Sequence, residues 1–462
     1  MRAPHSEPAQ YNDADGLPLP RRRWAIFALV LAVAITVLDT SIVNIALPLI
    51  ATDLQISPAS AVWVINAYQL TVTVLLLPLA SLGEVIGYRR VHMAGLAIFT
   101  LASLACAIAD SLPALIAARV MQGLGGAGIM SVNVALVRFI YPNSQLGRGI
   151  GINALVVAVS ASLGPTLGAG VLHLADWPWL FAINVPLGAL SLLIAIRAMP
   201  ASPLSGHAFD AISAALSVLA LGLLILGIDE IGHGRRLHWV LLGLSASATA
   251  GWFLVRRQLT LPSPLLPIDL LKIPVFALSI GASLCAFMAQ TLAFISLPFY
   301  FQGVLGRSAV ETGLLITPWP LAVGVLALLA GRLVERYSAG LLGSVGLMLF
   351  ALGLTSMALL PEQVSDLDIA LRMSICGVGF GLFQTPNNRT IMNSAPRRRS
   401  GGASGMLSTG RLLGQTLGAA LVAIIFSVTA GPAMPAALTT AAVLAALAAL
   451  ASGLRLTRTA PA

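Results

Sequence analysis

One carboxyl group lies in the middle of a long apolar segment. Asp39 stands within VLDTSIVNIALPLI, whereas the other sixteen of the 17 acidic residues fall in predicted tails, loops or segment ends. A charged side chain at the centre of a bilayer costs about 2.5–3.5 kcal/mol on insertion scales, and desolvation disfavours the ionised form. We therefore interpret Asp39 as a residue that binds and releases a proton. The alternative is a structural contact with Thr36, Thr40 or Asn44, or with a basic residue of another helix.

A second apolar segment contains Arg119 and Gln122, three positions apart in LIAARVMQGLGGAGIM, which places both on one face of a helix. Asn133 lies about 40° from Arg119 at 100° per residue. A guanidinium fixed beside a carboxyl makes proton binding depend on the distance between the two groups. We assign Asp39, Arg119 and Gln122 to proton coupling. A structural arginine bonded to helix-end carbonyl oxygens is the alternative for Arg119.

Other side chains in apolar segments carry an amide, a guanidinium or an aromatic ring, and could line a cavity for flat hydrophobic solutes. Ordinary packing or lipid contact is the alternative for each of them. The candidates are Asn44, Asn66, Tyr68, Gln69, Asn133, Phe287, Gln290, Phe294, Arg411 and Gln415.

The sequence shows no pattern of an enzyme or a metal centre. The motifs HExxH and GxSxG do not occur, and the 3 cysteines and 6 histidines lack ligand spacing. A receptor needs a soluble output domain, for which the chain leaves no room. We therefore predict no catalytic residue, no metal and no cofactor.

The elements that must position these residues are membrane-spanning helices. Hydrophobic residues make up 58% of the chain and charged residues 9%, against about 25% charged residues in a typical soluble protein. Apolar runs of about 20 residues, enough to cross a bilayer, recur fourteen times, and no strand alternation is seen. We predict an all-α bundle with spans at 24–48, 60–82, 91–110, 113–137, 149–172, 177–198, 209–229, 237–256, 274–301, 308–332, 340–360, 366–390, 403–427 and 433–456.

The net charge of +9 reflects membrane topology rather than nucleic-acid binding. With an even number of spans, both termini lie on one side, and Arg21, Arg22 and Arg23 mark that side as cytoplasmic. Of the 26 basic residues, twenty then fall on the cytoplasmic side, four fall outside, and Arg119 and Arg411 lie within spans.

A short repeat divides the spans into two equivalent groups of six, separated by two inserted helices. ASLGEVIGYRR follows the second span, and GRLVERYSAG follows its counterpart in the second half. We interpret these loops as conformational latches, and solvated positive-inside charges are the alternative. The latch residues are Gly83, Glu84, Gly87, Arg89, Arg90, Gly331, Glu335 and Arg336. The predicted divisions are a disordered tail at 1–23, a six-helix bundle at 24–198, the inserted pair at 199–262, a second bundle at 263–456 and a tail at 457–462.

Taken together, these segments resemble the major facilitator superfamily, specifically its fourteen-helix drug:proton antiporter branch. Leu38-Asp39-Thr40 with the run from Ile42 to Pro48 is similar to the first-helix motif of that branch, and Arg119-Gln122-Gly123 to its fourth-helix motif. Gly164, Pro165, Gly168 and Gly170 resemble the fifth-helix motif of exporters, and the segment from Trp177 to Gly188 resembles the one that follows it. Ala80, Glu84 and Val85 depart from the family pattern in the latch loop.

The resemblance implies a proton-driven exporter of small hydrophobic or cationic compounds, of the multidrug-efflux and antibiotic-resistance type, that works by alternating access. Because the thirteenth helix carries Arg411 and no acid, dications are disfavoured as substrates. A transporter of one endogenous metabolite is the alternative. The expected partners are the small-molecule substrate, protons and lipid, and the expected location is the bacterial cytoplasmic (inner) membrane. The oligomeric state is left open.

Overall fold

The computed structural model covers most of the chain. It describes residues 16–142, 145–202, 204, 209–232, 237–261, 268–334, 336–361, 363–395, 400–429 and 433–456.

Within these ranges the regular structure is helical. A short 3-10 helix, Ile268–Lys272, precedes the second half of the chain. The α-helices are α1 (Leu19–Asp53), α2 (Pro58–Ala61), α3 (Trp63–Ile86), α4 (Tyr88–Ala107), α5 (Leu112–Ile140), α6 (Leu146–Leu174), α7 (Pro178–Ala182), α8 (Asn184–Ala198), α9 (Ala211–Gly232), α10 (Leu237–Gln258), α11 (Pro274–Gly303), α12 (Ala309–Ile316), α13 (Pro318–Leu333), α14 (Ala339–Ala358), α15 (Asp366–Ser394), α16 (Ser400–Val428) and α17 (Met434–Leu454).

Each predicted span coincides with a helix, but three spans are broken. The pairs α2/α3, α7/α8 and α12/α13 each replace one predicted helix. The last break falls at Thr317, where Pro318 follows and supplies no backbone N–H to the hydrogen-bond ladder. The predicted tail at 1–23 needs correction, because α1 already begins at Leu19; residues 1–15 and 457–462 lie outside the described residues.

By length and apolar composition, 11 described segments can cross a membrane, with each of the three broken pairs counted as one segment. The number is 12 if α6 is counted despite its 45° bend. This makes the chain a multi-pass membrane protein, but it does not confirm fourteen crossings. The helices that fall short are α10, which ends in Arg256 and Arg257, and α15, which carries charged residues in its first turns.

Helices α1–α8 and α11–α17 form two groups that pack in the same pattern. Helix α1 packs on α6 and α8 just as α11 packs on α16 and α17, and α5 packs on α3 and α4 just as α15 packs on α13 and α14. Helices α9 and α10 pair with each other, and α9 touches α3 and α16 at the seam between the groups. An ion pair of 3.0 Å between Arg257 and Asp210 ties this pair together.

The two halves share one core at the end of the bundle where α1 terminates, here called the Asp53 end. Gln302 Nε2 donates to the Ile45 carbonyl at 2.9 Å, and the Thr166 and Thr317 hydroxyls lie 2.7 Å apart. At the opposite end, the Arg21 end, each half has a core of its own: Ala25 belongs to one and Phe276 to the other. Between the ends, Thr73 and Thr416 are hydrogen-bonded at 3.0 Å.

Candidate functional site

Asp39, Arg119 and Gln122 come together inside the first half. Asp39 lies near the middle of α1, and Arg119 and Gln122 lie one turn apart on α5. All three are buried, with at most 1% of their surface exposed. Burial of an ion pair requires that its remaining hydrogen bonds be satisfied, so the surrounding groups decide what this cluster can do.

Three donors surround the Asp39 carboxylate. Arg119 donates to Oδ2 at 2.5 Å, while Gln122 Nε2 and Asn184 Nδ2 donate to Oδ1 at 2.9 and 3.0 Å. None of these groups accepts a hydrogen bond from the carboxyl. Since a protonated carboxyl needs an acceptor for its own O–H, the arrangement suits the ionised form.

Arg119 is held by more than its ion pair. Its Nε donates to the Val64 carbonyl at 2.8 Å, and its guanidinium carbon lies 4.5 Å from the Tyr68 ring centre and 5.5 Å from that of Phe181. Cation–π contacts of this kind are worth about 2 kcal/mol when desolvated. The guanidinium is therefore fixed in place beside the carboxylate.

Gln122 links the ion pair to α4. Its Oε1 accepts from Arg119 at 2.6 Å and from the Cys106 thiol at 3.5 Å, and its Nε2 also donates to Ser103 Oγ at 2.9 Å. Because both ends of the amide are fully engaged, its orientation is set by its neighbours.

Glycines on α5 let α3 approach this closely. A Cβ at Gly126 would lie 2.7 Å from Tyr68 Oη, and one at Gly123 would lie 2.8 Å from the Tyr68 carbonyl oxygen. The GLGGAG run thus permits the tyrosine ring to cover Arg119.

Sequence reasoning missed two participants. Asn184 begins α8, and Ser103 lies on the inner face of α4. The available signal for Asn184 was its place in the segment from Trp177 to Gly188. In the second half, Arg455 was counted with the cytoplasmic charges, yet its side chain is buried and donates to Asn387 Oδ1 at 2.7 Å and Ser279 Oγ at 2.9 Å.

The predicted cavity residues separate into different environments. Phe287 and Phe294 are part of an aromatic cluster in the second half, with ring centres 5.3 Å from Phe380 and 4.9 Å from Trp319, respectively. Tyr68 covers Arg119.

The candidates that carry an amide or a guanidinium differ in whether their polar atoms have hydrogen-bond partners. Asn133 donates to Asn153 at 2.8 Å. In the described structure, Asn44 Oδ1, both amide atoms of Asn66, and Gln69 Oε1 are buried without a hydrogen-bond partner. The half-buried members are Asn44, Gln290, Arg411 and Gln415.

The first latch loop packs against its own half. Gly87, at a φ of 100° that favours glycine, joins α3 to α4, and the Tyr88 N–H donates to Ser202 Oγ at 2.9 Å. Arg89 donates to the Ile196 carbonyl at 2.5 Å and Arg90 to the Ile86 carbonyl at 3.2 Å.

The remaining latch residues are placed as follows. Gly83 is buried, and Glu84 is exposed. In the second loop, Gly331 lies in α13 and the Arg336 N–H donates to the Leu333 carbonyl at 3.0 Å, whereas Glu335 lies outside the described residues.

The fifth-helix motif lies where the halves meet. Gly164 abuts Ser41, and a Cβ at Gly168 would lie 3.1 Å from Ile42 Cγ2. On the other side of α6, a Cβ at Gly313 would lie 2.8 Å from the Pro165 carbonyl oxygen, while Gly170 faces open space. The motif therefore joins α6 to α1 and to α12 of the second half.

Curated relatives match nearly the full chain. The uncharacterized transporter YebQ of Escherichia coli (strain K12) is 54% identical over 447 residues, covering 96% of this chain and 98% of its own. The riboflavin transporter RibZ of Clostridioides difficile (strain 630) is 29% identical, with 88% and 89% covered. The multidrug resistance protein Stp of Mycobacterium tuberculosis (strain CDC 1551 / Oshkosh) is 31% identical, with 84% and 73% covered.

The fold also matches a solved transporter structure. The crystal structure of a D-xylose-proton symporter aligns with a TM-score of 0.69 at 14% identity, over 93% of this chain and 96% of that one. Residues 29–419 match the family described as Major Facilitator Superfamily. Members of this family are transporters rather than enzymes, and they bind small-molecule substrates. The chain belongs to the Major Facilitator Superfamily of membrane transporters.

Proposed function

We propose that this transporter exports small, largely hydrophobic compounds in exchange for protons. The observation that carries the proposal is the Asp39 carboxylate, buried at the centre of the first half and held by three donors. Transporters commonly place coupling-ion sites near the bilayer midplane, and an intramembrane acid is a functional site by default. The relative named as a multidrug resistance protein supports export.

Proton binding at Asp39 would loosen the contacts between its helices. A proton on either oxygen removes the negative charge that attracts Arg119 and adds a donor next to three groups that already donate, so the contacts with Arg119, Gln122 and Asn184 weaken. These residues lie on α5 and α8, which pack against α1. The protonation state of one carboxyl thereby biases the packing of three helices, which is what coupling to a conformational equilibrium requires.

In the structure, the three donors surround the Asp39 carboxylate while the two halves are packed together at the Asp53 end, where they share a core. In the proposed cycle, Asp39 takes up its proton from the outside, the halves rock, and the proton leaves to the cytoplasm. The substrate then binds from the Arg21 end and is carried outward. The proton gradient is the driving force, and no cofactor takes part.

The proposed topology has fourteen crossings in a 6+2+6 arrangement within the bacterial inner membrane, with the Arg21 end cytoplasmic. Helix α10 pairs with the apolar α9. Helix α15 has 29 residues, about 43 Å at 1.5 Å per residue, which exceeds the hydrocarbon thickness of about 30 Å. The excess of basic residues at the Arg21 end fits the positive-inside rule.

Proton flux in liposomes tests the proposal. Lipophilic dyes, among them rhodamine 123 and fluorescein, are added to proteoliposomes that contain a pH-sensitive probe. We expect dye-dependent proton movement in the wild type, its loss in Asp39→Asn, and its retention in Asp110→Asn, which changes an exposed acid. Undiminished coupling in Asp39→Asn would overturn the assignment.

A dedicated metabolite is the second candidate for the cargo. The relative named as a riboflavin transporter, which aligns over nearly its whole length, favours this reading. Overexpression distinguishes the two, because a general exporter raises resistance to several unrelated dyes, biocides and antibiotics. A dedicated transporter leaves that profile unchanged.

A further inference from the structure

Helix α16, which packs on α11, α3 and α9, has one polar face. Ser404, Ser408, Arg411 and Gln415 follow the spacing i, i+4, i+7, i+11 of a single helix face, and all four are half-buried. We call these four residues the Arg411 face.

Other α16 residues show where the Arg411 face lies. Gly410 and Gly414 approach Ile280 and Leu284 of α11. Thr416 is hydrogen-bonded to Thr73 of α3, in the first half. The Arg411 face lies between these two contacts, and polar residues within membrane helices typically face the bundle interior or a water-filled cavity.

Arg411 is a cation without a counter-charge in the described structure. Its Nε is buried and has no hydrogen-bond partner, and its guanidinium takes part in no ion pair or hydrogen bond among the described residues. A buried donor without a partner is unfavourable, and a ligand with an acceptor group would supply the missing partner.

The acids of the bundle interior offer no site for a cation. Among the side chains that the structure describes, Asp39 is the one buried acid. Arg119 neutralises it, and the amides of Gln122 and Asn184 both donate to its other oxygen. Arg411 is therefore uncompensated when Asp39 is ionised, and protonation of Asp39 makes the interior more positive still. A cationic group is therefore disfavoured beside Arg411 in both states.

We propose that the Arg411 face binds an anionic group, such as a carboxylate, on the transported compound. The planar guanidinium pairs with a carboxylate through two parallel hydrogen bonds. On the adjacent α3, amide atoms of Asn66 and Gln69 also lack a hydrogen-bond partner in the described structure. This inference rests on the proposed transport function. It replaces the cationic compounds expected from the sequence with amphipathic acids.

Matched acid–ester pairs test the proposal. Rhodamine 110 carries a carboxylate and rhodamine 123 is its methyl ester; fluorescein and its methyl ester form a second pair. Binding to the protein in lipid nanodiscs is measured by fluorescence polarisation. We expect at least one acid to bind about tenfold or more tightly than its ester, and Arg411→Gln to abolish that preference. Arg411→Lys keeps the positive charge but cannot form the two parallel hydrogen bonds, so it should retain part of the preference for the acid.

Arg256→Gln is the matched control, because Arg256 is exposed on α10, where it stacks on Trp252 at 4.3 Å. It should leave the acid preference unchanged. Thermal unfolding of each variant establishes that it is folded, and the lysine variant keeps the test valid if Arg411→Gln is unstable. No acid preference in either pair, or one that survives Arg411→Gln, would overturn the proposal.

Asp39→Asn separates this inference from the proposed function. If acid binding depends on Arg411 but proton flux is unchanged in Asp39→Asn, the inference is supported and Asp39 is rejected as the coupling site. If rhodamine 123 flux is lost in Asp39→Asn, and acid binding and flux are both unchanged in Arg411→Gln, coupling at Asp39 is supported and the inference is rejected.

Discussion

At the level of single side chains, the two interpretations of Asp39 that the sequence leaves open are not exclusive. A basic residue of another helix is its partner, as the structural interpretation expects, and protonation of the carboxyl would remove the charge that attracts this partner. The geometry thus favours a coupling role without requiring the carboxyl to stand alone.

Removing the cation should be more harmful than removing the pair. Arg119→Gln leaves the Asp39 carboxylate buried without its counter-charge, which should cost about 3–5 kcal/mol of folding free energy. Asp39→Asn combined with Arg119→Gln should restore much of this loss. Thermal unfolding in detergent measures both, and a double variant no more stable than the single one would contradict a simple charge imbalance.

Asn184 should tune the proton affinity of the site. Asn184→Ala removes one donor from the ionised carboxylate, so the protonated form is favoured and proton release should need a higher pH. A hydrogen bond to a charged group is worth about 1.5–3 kcal/mol, so the pH midpoint of transport should move upward. Asn133→Ala, whose amide is bonded to Asn153, should leave the midpoint unchanged.

Among the helices, close approach at glycines decides how the halves meet. On α12, Gly313 faces Pro165 and Ala169 of α6, at the end where the halves share a core. The sequence identified the glycines of α6 through a family resemblance, but it gave no sign of their partner on α12. Contact between two helices depends on their relative rotation, which periodicity along one helix does not specify.

Filling this contact should shift the conformational equilibrium. A Cβ at Gly313 would lie 2.6 Å from Ala169 Cβ, whereas one at Gly170 meets nothing within 4 Å. Gly313→Val should therefore open the Asp53 end and lower the transport rate, while Gly170→Val should have little effect. Alkylation of Thr317→Cys by a membrane-impermeant reagent measures this opening, with the three native cysteines replaced. Equal labelling in the two valine variants would argue against a closing contact at Gly313.

For the molecule as a whole, the number of crossings decides which side of the membrane each loop faces. The composition of α10 and α15 falls short of a typical membrane span, yet α15 packs between α13 and α14 just as α5 packs between α3 and α4. A helix in that position is covered by neighbours, so it tolerates polar residues that lipid would not.

Reporter fusions should reveal fourteen crossings. A fusion after residue 234, between α9 and α10, should be active as an external reporter, and fusions after residues 261 and 398 as cytoplasmic ones. If α10 does not cross, the fusion at 261 reports the external side and every later loop is inverted. Fusion after residue 85, in the first latch loop, fixes the cytoplasmic reference.

Sequence alone determined the approximate places of the helices, though not the three breaks, and it identified Asp39 as an acid deep among them, because hydrophobic runs and isolated charges are local properties of the chain. It also placed Arg119 and Gln122 on one helix face. Tertiary structure decided that Arg119 meets Asp39 from 80 residues away, that Asn184 completes the site, and that Phe287 and Phe294 pack in an aromatic cluster. These outcomes depend on how each helix is rotated against its neighbours, and that rotation is set by packing over the whole bundle.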